Sequence, residues 1–181
     1  MENAIITALE TSDDIDTTLD QTKMYIEFSS SESSSKEKAQ KAERIFGSVL
    51  EFGENVEEME LETSTKLLSL MNTLTSDITV MTNSQMQEST DMILKIRDKW
   101  SDSSDGGTPE ENEATFISCF ETLGNTLAKA PYTRPGTQAG AEVTRMRYKI
   151  AEAIEELNLD LTSGLAASLD PEKKIVIKND I

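Results

Sequence analysis

The side chains in this sequence that could do chemistry are carboxylates, one thiol and many hydroxyls; there is no histidine. That absence removes the usual general base near neutral pH and the commonest metal ligand. Cys119, the one cysteine, lies in FISCFETL beside Phe116 and Phe120. With no imidazole to take its proton, it reads as a small core hydrophobe rather than a nucleophile. The carboxylates gather in three places. The stretch ENVEEMELE, from Glu54 to Glu62, follows no cation-loop spacing and reads as a solvated segment joining helices. In SDSSDGGTPEEN, setting Gly106 at the central glycine of a calcium loop puts Ser101 and Ser103 at the first and third places. Asn112 then stands where a bidentate glutamate is required, so the loop fails the test. Asp13, Asp14 and Asp16 read as a polar helix face or loop. GSVLEFG and GTQAG lack the lysine and the spacing of a phosphate loop. No catalytic, cofactor-binding or metal-ligating residue is assigned, and the chain is expected not to be an enzyme.

The elements behind these residues follow from composition and periodicity. The chain has 181 residues, 36% hydrophobic and only 5% aromatic, so its core must be made of Leu, Ile, Val, Met and Ala, which favours packed helices over a sandwich. A formal net charge of −17 repels phosphate backbones and anionic headgroups and argues against nucleic-acid binding. No apolar run reaches the ~18 residues of a membrane span, so no direct insertion by this segment is expected. A single cysteine forbids an intrachain disulfide, and no Asn-X-Ser/Thr sequon occurs.

Residues 1–35 read as a weakly helical segment, with Ile5, Leu9, Leu19 and Ile26 at helical spacing, followed by the serine-rich connector SSSESSSKEK. Residues 36–169 read as a helical bundle. Ser34 and Glu37 have capping-box spacing ahead of a stripe of Ala42, Ile45, Phe46, Val49 and Leu50 that ends near Gly53. Leu67, Leu70, Met71, Leu74, Ile78 and Met81 form the cleanest stripe. Ser84 and Gln87 suggest a second box, opening a helix with Met86, Ile93, Ile96 and Trp100 inward. Thr108, Pro109 and Glu111 suggest a third, before Phe116, Phe120, Leu123 and Leu127. After the break APYTRPGTQAG, a long helix from about Ala141 to Leu169 carries Val143, Met146, Ile150, Ile154, Leu157, Leu161 and Leu165. The methionines Met71, Met81, Met86 and Met146 fall on these stripes and read as core filling. Residues 170–181 read as a turn at Asp170-Pro171 and an orphan strand, Ile175-Val176-Ile177. The expected fold is all-α, an up-and-down antiparallel helical bundle with a short C-terminal β-strand. No internal repeat is visible, which disfavours a solenoid.

The run ATFISCFETLGNTLAKAP, the proline break, and AEVTRMRYKIAEAIEELNLDLTSGLAASLDPEKKIVIKNDI resemble the helical part of polycystin and receptor-for-egg-jelly family ectodomains, next to the membrane-proximal autoproteolysis region. The resemblance covers residues 110–181, with vaguer support from 36 to 100. It implies a helical subdomain followed by a β-rich subdomain that can cut itself, and then by transmembrane helices. The orphan strand would be the first strand of that missing neighbour. Self-cleavage in the family uses a His-Leu-Ser/Thr tripeptide, and this chain has no His.

The expected function is therefore a non-enzymatic, extracellular structural and interaction module of a polycystin-like receptor, held on the outer side of the plasma membrane within a larger protein. Its expected partner is the neighbouring β-subdomain of the parent chain or another protein. The alternative is a self-contained, soluble cytosolic adaptor or subunit. Leu157, Leu161 and Leu165 would pack against the bundle, and Ile175 and Ile177 would join the continued sheet.

Overall fold

The computed structural model describes residues 2–12, 14–32, 34–55, 60–102 and 109–168. They form seven helices: α1 (Glu2–Thr11), α2 (Ile15–Glu32), α3 (Ser35–Asn55), α4 (Leu61–Asp77), α5 (Asn83–Asp102), α6 (Pro109–Ala128) and α7 (Gln138–Ser168). The protein is all-helical among these residues and contains no strand. The strand expected at Ile175 to Ile177 lies outside the described residues.

The helix starts show local chemistry at work. At Ser34 the backbone N–H donates to Glu37 Oε2 at 2.9 Å, and the Glu37 N–H donates back to Ser34 Oγ at 3.4 Å, completing the expected box. The serine-rich stretch is less of a connector than composition suggests. α2 runs through it to Glu32, with Ser29 Oγ satisfied by donating to the Ile26 carbonyl at 3.2 Å. The box opening α5 sits two residues earlier than Ser84 and Gln87. Thr82 N–H donates to Gln85 Oε1 at 2.9 Å, and Gln85 N–H to Thr82 Oγ1 at 3.2 Å. α4 accordingly stops at Asp77, with Ile78 already extended, and Ile78 and Met81 are buried from the connection rather than from a helix face. Pro109 takes the first helical position of α6, as expected; Thr108 lies outside the described residues. At α7 the helix begins at Gln138, not Ala141. Thr137 Oγ1 donates to the Arg134 carbonyl at 2.8 Å and accepts the Gly140 N–H at 3.1 Å, while Gly136 makes the turn at φ 81°.

Gly53 does not end α3, which continues to Asn55. A Cβ there would come within 2.6 Å of Met92 Cε and 3.1 Å of Leu67 Cδ2, so the glycine lets α3, α4 and α5 approach closely.

The helices pack in a simple order. Among the described residues, each touches only those one or two places away in the chain, from α1 against α2 and α3 through to α7 against α5 and α6. Cross-helix bonds give the directions. Asp16 meets Thr63 and Lys23 meets Ser69, so α2 and α4 run parallel. Asn125 meets Asn72 and Lys129 meets Ser76, so α4 and α6 do as well. Lys149 meets Asp91 and Arg97 meets Glu156, which makes α5 and α7 parallel. The result is two layers, α2-α4-α6 and α1-α3-α5-α7, with α2 to α6 each wedged between two helices of the other layer and α1 and α7, at the ends of the stack, each against one. Stacking of this kind needs only that neighbours bury each other's faces, so it requires no sequence repeat.

One continuous core runs through both layers. It includes Leu9, Leu19 and Ile26, so the N-terminal segment belongs to the same body as the rest. Its centre is α4, with Leu67, Leu68, Leu70, Met71 and Leu74 all fully buried. Leu70→Ala is expected to lower unfolding free energy by about 3 kcal/mol, measured by urea denaturation. Thr82→Ala is expected to lower it by about 1 kcal/mol, and Ser84→Ala by less than about 0.5 kcal/mol, which separates the cap from its neighbour.

Candidate functional site

The groups singled out for chemistry are placed apart. Cys119 is buried in α6, and burial pushes its thiol up to about 12, only slightly offset by the nearby Arg97 charge. A thiol so desolvated holds its proton and is a packing group. Asp14 is exposed at the start of α2. It accepts the Thr17 N–H at 3.2 Å, and its carboxyl is held below the usual range by hydrogen bonding from Thr17. Asp16 accepts the Thr63 hydroxyl at 3.0 Å and, with Asp20 and Glu62, surrounds Lys66, tying α2 to α4. The hydrogen bonds that Lys66 donates to Asp20 and Glu62 raise its pKa. Asp13, Gly106 and much of the stretch from Glu54 to Glu62 lie outside the described residues. Among the described residues no group of three or more His, Cys, Asp or Glu could hold a metal ion. Met71, Met81, Met86 and Met146 are all buried in the core.

Helix direction sorts the charges. The starts of α2, α4 and α6 and the ends of α1, α3, α5 and α7 share one edge of the slab. Asp14, Asp16 and Asp20, Glu60 and Glu62, Glu51 and Glu54, Asp98, and Glu152 to Asp160 all lie along it. Carboxylates favour helix starts, where backbone N–H groups are unpaired, but they are unfavourable at helix ends. No basic residue stands in the last turn of α1, α3 or α7 to oppose them. Arg97 relieves part of this strain. It donates to Glu156 at 2.6 Å and to Asp98 at 2.6 Å and lies 3.6 Å from Asp160; burial lowers its pKa, and these hydrogen bonds more than reverse the effect. The opposite edge is balanced by Lys36, Lys38, Arg44, Lys129, Arg134, Arg145, Arg147 and Lys149.

On that opposite edge lies an open groove. The capped turn at Pro135 to Thr137 and the first turns of α7 enclose about 750 Å³ of open space, bordered by Ala141, Thr144, Arg145 and Tyr148. A Cβ on Gly140 would stand 2.5 Å from the Arg134 carbonyl, so the glycine sets how closely the turn lies on the helix. Tyr148 is 70% exposed, Tyr132 96% and, further along α7, Leu159 66%. None of these was singled out from the sequence, because outward positions of an amphipathic helix look like any solvated face. The apolar letters Tyr148 and Leu159, seven or more residues apart but on the same side, were the available signal.

No described helix is long and apolar enough to cross a membrane. Comparison with protein-family models, with curated proteins and with solved structures finds no match.

Cys119 is expected to resist dithionitrobenzoate at pH 8 in the native protein and to react fully in guanidinium. Because burial raises its pKa, its contribution to stability is intact below its ordinary value of 9.0 and is lost as pH climbs toward about 12. Screening of the acidic edge is expected to raise the thermal midpoint by roughly 3 °C or more between 10 and 500 mM KCl, read by circular dichroism.

Proposed function

We infer that this chain is a non-enzymatic helical module that acts by contact with another protein. The observation that carries this reading is the half-covered outer side of α6. Among the described residues, α4 is flanked in its layer by α2 and α6, but α6 by α4 alone. Glu121, Asn125 and Lys129 turn toward α4, and on the other side of α6 the stripe of Phe116, Phe120 and Leu127 is only half-buried. Ile117 beside it is 46% exposed. A helix or strand from a partner laid there would cover the stripe as α4 covers the opposite side. The net charge of −17 favours a partner that is not itself a polyanion.

The neighbouring β-rich subdomain of a polycystin-like receptor, on the extracellular side of the plasma membrane, is one such partner, supported by the resemblance of residues 110–181 alone. A cytoplasmic adaptor would use the same surface.

Replacing Ile117 with a benzophenone amino acid and irradiating source cells is expected to give one discrete crosslinked adduct with a different protein. The same replacement at exposed Gln21 on α2 is expected to give none. No adduct at Ile117, or equal adducts at both positions, would sink the reading.

A further inference from the structure

α7 has two stripes. The inward one, Val143, Met146, Ile150, Ala153 and Leu157, is buried in the core. The outward one, Ala141, Arg145, Tyr148, Glu152, Glu155 and Leu159, repeats at helical spacing on the opposite side and is exposed throughout. Along this outward stripe the charge changes sign, from Arg145 to Glu152 and Glu155, and the sequence around the stripe is divided in the same way. From Lys129 to Lys149 the basic residues are Lys129, Arg134, Arg145, Arg147 and Lys149, against Glu142 alone. From Ile150 to Thr162 there are Glu152, Glu155, Glu156 and Asp160 and no basic residue. The apolar features are divided in the same way. The groove bordered by Ala141, Thr144 and Tyr148 lies in the basic half, and the exposed Leu159 projects from the acidic half.

A surface with opposite charge in its two halves, a hollow in one and a knob in the other, is complementary to a copy of itself turned end for end. We propose that two copies of this chain pair through the outward stripe of α7, the two helices antiparallel about a two-fold axis level with Ile150. Arg145 of each copy then faces Glu155 of the other, and Tyr148 faces Glu152. Leu159 enters the groove beside Ala141 and Thr144, whose small side chains allow the helices to close. Arg145 and Glu155 are ten residues apart, about 15 Å along the axis, and the two-fold makes both charge pairs close together. A parallel pairing would set Arg145 against Arg145 and Glu155 against Glu155, and repulsion excludes it. The ends of the stack stay outside this contact, so a dimer leaves the half-covered stripe of α6 open. A contact one helix wide is near the lower limit of about 1,000 Å² for a specific interface.

The test is the mass of the full chain by sedimentation equilibrium at about 100 μM in 50 mM salt, across a dilution series. The wild type is expected to be a dimer whose dissociation constant rises with salt. Arg145→Glu and Glu155→Arg are each expected to weaken it by roughly tenfold or more, since each sets like charges together at both ends of the interface. The double variant Arg145→Glu, Glu155→Arg restores opposite charges across the same axis and is expected to return to within about threefold of wild type. Leu159→Ser, at a side chain already exposed, is expected to weaken the dimer without shifting the urea midpoint. A monomeric wild type at 100 μM, an assembly larger than a dimer, single reversals without effect, or a double variant as weak as the singles would each overturn the proposal.

Discussion

Burial of α4 is the constraint on which the rest of the structure depends. Its apolar and small residues come in adjacent pairs, Thr63 and Ser64, Leu67 and Leu68, Leu70 and Met71, Leu74 and Thr75, and all are buried. A single buried residue per turn would need one neighbouring surface. Adjacent pairs widen the buried stripe to nearly half of the helix, which then needs cover from more than one side. α2 and α6 supply it within the layer, and α3 and α5 from across. Each fully buried leucine or methionine contributes roughly 1.5–3 kcal/mol relative to exposure, so no arrangement that leaves α4 at an edge competes. The two-layer order follows from that requirement.

Hydroxyls make the close packing tolerable. Buried Thr18, Thr22, Ser64, Thr90 and Thr122 each bond a carbonyl one turn back in their own helix, at 2.7 to 2.9 Å, so they enter the interior without an unpaired group. Ser89 and Thr126 meet at 3.2 Å across α5 and α6. Their small volume lets the layers approach, much as Gly53 does between α3 and its neighbours.

The same hydroxyls explain what the sequence hid. The stripes of α3, α4 and α7 were legible because their inward residues are Leu, Ile, Val and Met, and Ser34 with Glu37 was legible because both halves of the box are present. The first two helices were legible only weakly, through Leu9, Leu19 and Ile26, since Thr18 and Thr22 occupy core positions but count as polar in any hydropathy pattern. Thr82 and Ser84 each precede a glutamine by three residues, and only the place where α4 stops decides between them. Packing order is invisible to periodicity, which says that a helix has a buried face but not which neighbour covers it. The outward stripe of α7 escaped notice because exposure looks alike whether a surface is idle or used. The polycystin resemblance rested on leucine-rich helices, a pattern that any stacked helical protein of this composition also produces.

Contacts confined to helices one or two places apart in the chain carry a kinetic consequence. Loop closure between such neighbours spans short stretches of sequence, so ordering one helix against the next requires little chain entropy beyond that of the helices themselves. Each helix after α1 that leaves the ribosome finds one of its final partners already synthesised, and no partner of an early helix waits at the far end of the chain. Folding can therefore proceed during synthesis from α1 onward, with α4 as the step that commits the stack, because only with its arrival does the centre of the core exist. Apolar surface waiting for a distant strand or helix, the usual source of aggregation in nascent chains, is correspondingly short-lived here.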